Sequence, residues 1–196
     1  MSYGVNAPQG LRPNRLLSGA TFNDALNEFP IASGYATAIF TGDPVVQLAD
    51  GTIGRATAGD ANPIMGVLDG VQYTDATGNK VYSKYWPAAT ATLGALNAQA
   101  YVVMAEDVLF DIQALGTIAA ADIGQNGNIS FATAGNTYSG QSGAALNATL
   151  NTTATFQVKI ISFTPVPGNE PGVQYNNVLV KINNNQFGDH TGTVGV

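Results

Sequence analysis

The chain has 196 residues, 45% of them hydrophobic, which is enough to pack one domain and too much for disorder throughout. It carries 13 acids against 7 bases, a net charge of −6, and so lacks the basic footprint that a nucleic-acid-binding surface needs. Cysteine is absent, which excludes disulfides and thiolate chemistry, and no run of about 18 apolar residues offers a membrane-spanning helix.

Residues 1–34 read as irregular. Pro8, Pro13 and Pro30 interrupt any helix, and Gly4, Gly10, Gly19 and Gly34 loosen the remainder. One short helical turn is expected over 22–29, with Asn23 or Asp24 as its cap. The segment is nonetheless apolar, through Leu11, Leu16, Leu17, Phe22, Leu26, Phe29 and Ile31. That pattern predicts an extended arm that docks on another chain. Leu11, Arg12, Arg15, Leu16, Leu17, Phe22 and Phe29 are its expected contact residues, since arginine suits contacts that are both charged and well packed.

From Tyr35 onward, short apolar runs alternate with turn residues, and 35–196 is expected to form the body. The runs are 36–40, 45–48, 53–56, 64–68, 71–73, 81–86, 89–93, 100–105, 108–112, 128–131, 154–163 and 177–182. Asp50-Gly51 between two of them is a hairpin signal, and Thr77-Gly78-Asn79 marks another turn. Strands at roughly ten-residue spacing with Gly- and Pro-rich turns predict an all-β fold, a β-sandwich or β-barrel body with little helix. Residues 132–153 are low in complexity and read as a long surface loop or weak hairpin.

Candidate chemistry is sparse. Glu106, Asp107 and Asp111 are the best acidic cluster. On a strand, Asp107 and Asp111 share one face, where they could hold a cation or do acid–base work; the favoured reading is a strand with one polar, solvated face. Asp122, Asn126 and Gly127 match part of a calcium loop, but the acid due at its twelfth position falls on Thr133. His190, the single histidine, has Asp189 beside it but no nucleophile elbow anywhere in the chain. The Gly135–Gly140 stretch lacks the Lys-Ser/Thr ending of a phosphate loop. Asn128, Asn147 and Asn151 match glycosylation acceptors and read as polar loop residues. Tyr73, Tyr82, Tyr85 and Trp86 lie close in sequence, as core residues or as stacking platforms for sugars. No catalytic residue, metal site or cofactor is expected.

Charged residues total only 10%, against roughly 25% in an average globular domain. A surface of Thr, Asn, Ser, Gln and Gly suits lasting contact, because few charges need desolvating when a partner covers it. The opening residues lack the basic-then-apolar layout of a signal peptide, which predicts synthesis in a cytoplasm without dedicated export.

Four blocks carry a resemblance: Asn6–Pro13 (Asn-Ala-Pro-Gln-Gly-Leu-Arg-Pro), Ala36–Val45 (Ala-Thr-Ala-Ile-Phe-Thr-Gly-Asp-Pro-Val), Ile182–Gly188 (Ile-Asn-Asn-Asn-Gln-Phe-Gly) and Gly192–Val196 (Gly-Thr-Val-Gly-Val). Together they resemble a family of small virion structural proteins of tailed bacteriophages, the head decoration or cement proteins. The resemblance implies a non-enzymatic protein of the capsid surface, made in the host cytoplasm. Its implied partners are the major capsid protein of the same head, bound on the outer face at subunit junctions, and copies of itself. Neither nucleic acid nor a membrane is an expected partner. The competing expectation is a carbohydrate-binding or adhesive β module on a virion or cell surface.

Overall fold

The structure, a computed structural model, describes residues 4–59, 61–188 and 192–195. Its strands are β1 (Arg12–Leu16), β2 (Asn27–Pro30), β3 (Ile39–Phe40), β4 (Pro44–Gln47), β5 (Ile53–Arg55), β6 (Gly66–Thr74), β7 (Lys80–Ser83), β8 (Tyr85–Trp86), β9 (Ala98–Met104), β10 (Val108–Gln113), β11 (Asn126–Gly127), β12 (Ile129–Ser130), β13 (Ala145–Leu146), β14 (Val158–Phe163) and β15 (Asn177–Ile182). The fold is all-β and sandwich-like. Among the described residues, helix is limited to one 3-10 turn at Ala120–Asp122.

Two antiparallel sheets form the frame. The first has the order β1-β10-β15-β14-β11. The second runs β2-β9-β6-β4-β5, with β7 also paired to β6. Between the two sheets, Phe110, Ile112, Val158, Ile160, Val178 and Val180 meet Val67, Val103 and Ala105 in the larger core. A second core lies on the other side of the second sheet, where Leu68, Val71, Ala100 and Val102 pack with Ile31, Ile39, Met65 and Trp86. The β6 and β9 strands are therefore apolar on both faces, which explains why their sequences alternate poorly. A two-stranded ribbon, β3-β8, supplies Ile39 and Trp86 to this second core.

A bulge in β6 sets the geometry of one edge. Leu68 pairs with Val102 and Gly70 with Tyr101, so Asp69 is the extra residue. The slip turns Val71 onto the side of Leu68 and pushes Asp69 outward, as bulges do when they re-aim a side chain.

The expectations for residues 1–34 need correcting. The helical turn at 22–29 is absent: Asp24 adopts φ 55, and Asn27–Pro30 pairs with β9 as strand β2. The segment also does not stand apart as an arm. Strand β1 pairs with β10 in register Arg12↔Asp111 and Leu16↔Val108, and Leu11 and Ile31 are fully buried, one in each core. The physical reason is that β10 and β9 would otherwise be open edges, and short extended segments satisfy them despite their Pro and Gly content.

Other boundaries moved less. The 64–68 and 71–73 runs merge into β6, while 81–86 splits at Lys84 into β7 and β8. Residues 89–93 form no strand. The 132–153 stretch includes β13, which pairs with β12, and buries Ser142, Ala144, Ala145 and Leu146.

Candidate binding cleft

The carboxylates expected to form a site do not converge. Asp111 sits beside Arg12 across the β1–β10 ladder, and its oxygen accepts a hydrogen bond from Thr164 Oγ1 at 2.7 Å. Burial raises its pKa, while the Thr164 hydroxyl and the Arg12 charge pull the other way. Glu106 and Asp107 line a separate depression with Lys159, Lys181 and Asn183. Among the described residues, no three His, Cys, Asp or Glu side chains group as metal ligands would. Asp122 instead accepts from Ala119 N at 2.7 Å and closes the 3-10 turn. Asn126, its supposed co-ligand, is buried and donates to Thr153 O and Thr193 O. Asp189 and His190 lie outside the described residues.

The expected contact residues of 1–34 scatter over the body. Leu11 is core. Leu16 and Phe22 rest half-buried on the larger core, and Phe29 on the smaller one. Leu17 stays 46% exposed, its N–H donating to Asp107 O at 2.7 Å, and Leu26 is also exposed. Arg15 is exposed on β1, two residues before Leu17.

Arg12 belongs to a different feature, a cleft of about 400 Å³ between the edge strand β1 of the first sheet and strands β6 and β9 of the second. Leu11 and Val103 form apolar wall; Gln9, Arg12, Asp69, Lys84 and Gln141 supply polar groups. Arg12 Nη1 donates to Gln9 Oε1 at 2.9 Å. Asp69, delivered by the β6 bulge, has its pKa raised by partial burial and by the charge of Asp24, with Lys84 opposing. Thr41 links these two residues, its hydroxyl within hydrogen-bonding reach of Asp69 O at 2.6 Å and of Lys84 O, with one proton to give to either.

A second concavity of about 500 Å³ continues from this cleft, sharing Lys84, Ser139 and Gly140 with it. Its remaining lining is Tyr82, Ser83, Tyr85 and Tyr138. The sequence cluster of aromatics is thus divided. Tyr73 and Trp86 meet edge-on in the smaller core, 5.4 Å apart, whereas Tyr82 and Tyr85 face the concavity. Tyr138 joins them from the low-complexity stretch, where composition alone offers no reason to select it.

The chain has also been compared with known proteins: it matches no family model, no curated protein and no solved structure.

Proposed function

We propose that this chain is a structural protein of a tailed-bacteriophage head, binding the outer face of the shell and bracing its subunit junctions without catalysing a reaction. The observation that carries the reading is how the first two sequence blocks meet. Gly10 (φ 76) and Gly42 (φ 92) cross so closely that a Cβ on Gly10 would lie 2.5 Å from Gly42 O, and one on Gly42 would lie 2.9 Å from Gln9 O. Leu11 N donates to Gly42 O at 2.8 Å and Gly10 N to Ala144 O at 3.0 Å. The third block serves the same end. Asn183 Nδ2 donates to Ala154 O and Phe156 O, and Gln186 exchanges two hydrogen bonds with the Gln47 backbone. Residues that carry the resemblance thus hold the frame rigid, as a load-resisting protein requires, rather than assembling reactive groups.

A charge-poor rigid surface supports lasting contact with the major capsid protein and with further copies of this chain. With Leu11 and Ile31 committed to the chain's own cores, Arg15, Leu17 and Leu26 are among the described residues of 1–34 that stay exposed to a shell. The test is cosedimentation of the purified protein with shells assembled from the capsid protein of the same phage. Saturable loading at a fixed ratio, with a rise in the temperature of shell rupture, is the expected result. Protein left in the supernatant at every concentration would rule the reading out.

A further inference from the structure

We propose that the tyrosine-walled concavity is a saccharide-binding site, separate from any contact with a shell. Tyr82 is 70% exposed and Tyr138 is 100% exposed, yet both line the same depression. Two large rings left in water around one concavity are unusual unless something stacks on them, since each would bury a large apolar area.

The rings stand on ordered supports. Tyr138 lies in a turn closed by Gly140 N donating to Asn136 O and by Asn136 N donating to Gln141 O, each at 2.8 Å. Asn136 Oδ1 also accepts from the N–H groups of Tyr138 and Ser139. Thr41 N donates to Gly140 O, and a Cβ on Gly140 would lie 2.6 Å from Lys84 Cβ, so the turn is pressed against the strand side. Tyr82 belongs to β7, paired with Gln72. Tyr85 is stacked on Phe40, with ring centroids 5.1 Å apart and planes 10° from parallel. The backbone under the rings is therefore held before binding, and the ordering cost that remains is that of fixing the exposed Tyr82 and Tyr138 rings.

The chemistry between the rings selects the ligand class. A pyranose has an apolar C–H face and a rim of hydroxyls. Tyr82 and Tyr138 offer stacking surface, while Ser83, Ser139 and Lys84 can exchange hydrogen bonds with the rim. A proline-rich peptide also docks on aromatic walls, but its prolines offer carbonyl acceptors and no N–H donors, whereas pyranose hydroxyls both donate and accept, as the Ser83 and Ser139 hydroxyls do. The concavity opens into the neighbouring cleft through Lys84, Ser139 and Gly140. Both volumes fall within the range of ligand pockets. The groove therefore suits a chain of sugars rather than a monosaccharide, with the next residue reaching Arg12, Asp69 and Gln141.

The experiment is native gel electrophoresis of the full chain through soluble starch, hydroxyethyl cellulose, glycol chitin and polygalacturonate. Calorimetry with a hexasaccharide of whichever polymer retards it then gives the affinity. Retardation by at least one polymer is expected. Tyr82→Ala and Tyr138→Ala should each weaken binding about tenfold and leave the melting temperature unchanged, whereas Tyr138→Phe retains most of the affinity. Retardation by none of the polymers overturns the proposal. So does undiminished affinity in both alanine variants, or binding of a proline-rich decapeptide at these tyrosines with no polysaccharide bound. Loading of the two alanine variants onto shells is expected to match that of the unmodified chain, so either reading can fail without the other.

Discussion

Asp43 shows what one buried charge does in a chain with few of them. It is 1% exposed, and its two oxygens accept from Phe40 N at 2.9 Å and Ser142 Oγ at 2.5 Å. Burial raises its pKa, against those two donors and the Arg55 charge. Its folded pKa therefore lies above the unfolded value, and the native state binds more protons between the two. This group's contribution to stability is complete below pH 3.8 and is lost as pH rises through the folded value. Asp75 has the opposite sign. Four donors from Thr77 and Asn79 lower it to about 2, so its contribution is present above pH 3.8 and lost as pH falls through about 2. Asp43→Asn removes the charge while its oxygen can still accept from Phe40 N and its amide can donate to Ser142 Oγ, so urea midpoints between pH 4 and 7 should depend less on pH than in the parent. A slope equal to the parent's would exclude the assignment. Ser142→Ala, which strips a donor from a buried carboxylate, should destabilise by about 1–3 kcal/mol, measured by urea denaturation at pH 7.

Two side chains do the work of secondary structure where the strands stop. Gln157 is fully buried: Oε1 accepts from Ile129 N at 3.0 Å, and Nε2 donates to Thr57 O at 2.8 Å and Asn62 O at 3.1 Å. It thereby joins β12, the start of β14 and the 57–62 loop. Asn169 does the same for the loop before β15, accepting from Asn177 N and donating to Asn177 O and Thr164 O. Gln157→Leu fills the space but leaves the buried Ile129 N–H without a partner, at about 1–3 kcal/mol, and cuts the ties to the Thr57 and Asn62 carbonyls. Loss of more than about 2 kcal/mol is expected in chemical denaturation, with faster amide exchange around 57–62; an unchanged midpoint would contradict the role. The Gly10–Gly42 crossing is tested by Gly10→Ala, which adds a Cβ against Gly42 O and Ser142 Cβ at a positive φ. It should cost at least about 1–3 kcal/mol of backbone strain, seen as a lowered melting temperature. A melting temperature equal to the parent's would mean that the crossing relaxes freely.

For the molecule as a whole, both sheets are closed on one side by the first 30 residues. Strand β1 occupies the edge of β10, β2 the edge of β9, and Leu11 fills the core between sheets. Deleting residues 1–30 should therefore remove two strands and open two sheet edges, giving an aggregating product without a cooperative thermal transition. A soluble fragment that melted like the parent would instead restore the detachable arm. The tyrosine groove and the exposed Leu17–Leu26 stretch sit on this common frame, so a partner at either place meets a surface already held in shape.

Much of the body is legible in local chemistry. Asp50-Gly51 and Thr77-Gly78-Asn79 form the β4–β5 and β6–β7 turns because Asp50 and Asp75 accept hydrogen bonds from residues two to four positions on, which needs no long-range information. On β10, Val108, Phe110 and Ile112 face the core by strand periodicity alone, although Leu109 on the opposite face is buried as well. The candidate site is far less legible. Tyr82 and Tyr85 stand out as aromatics, but Tyr73 and Trp86 beside them stand out equally and pack inward. Tyr138 lies more than 50 residues away in sequence, among Ala, Gly, Ser and Thr. Only the crossing that brings the 135–141 turn onto Lys84 places it opposite Tyr82. The amino-acid sequence by itself determined an all-β chain with its turns and inward-facing runs, because those depend on residues within a few positions of one another. Only the tertiary structure decided that the first 30 residues close the sheets and that three tyrosines share a concavity, because both depend on which distant edges the chain brings together.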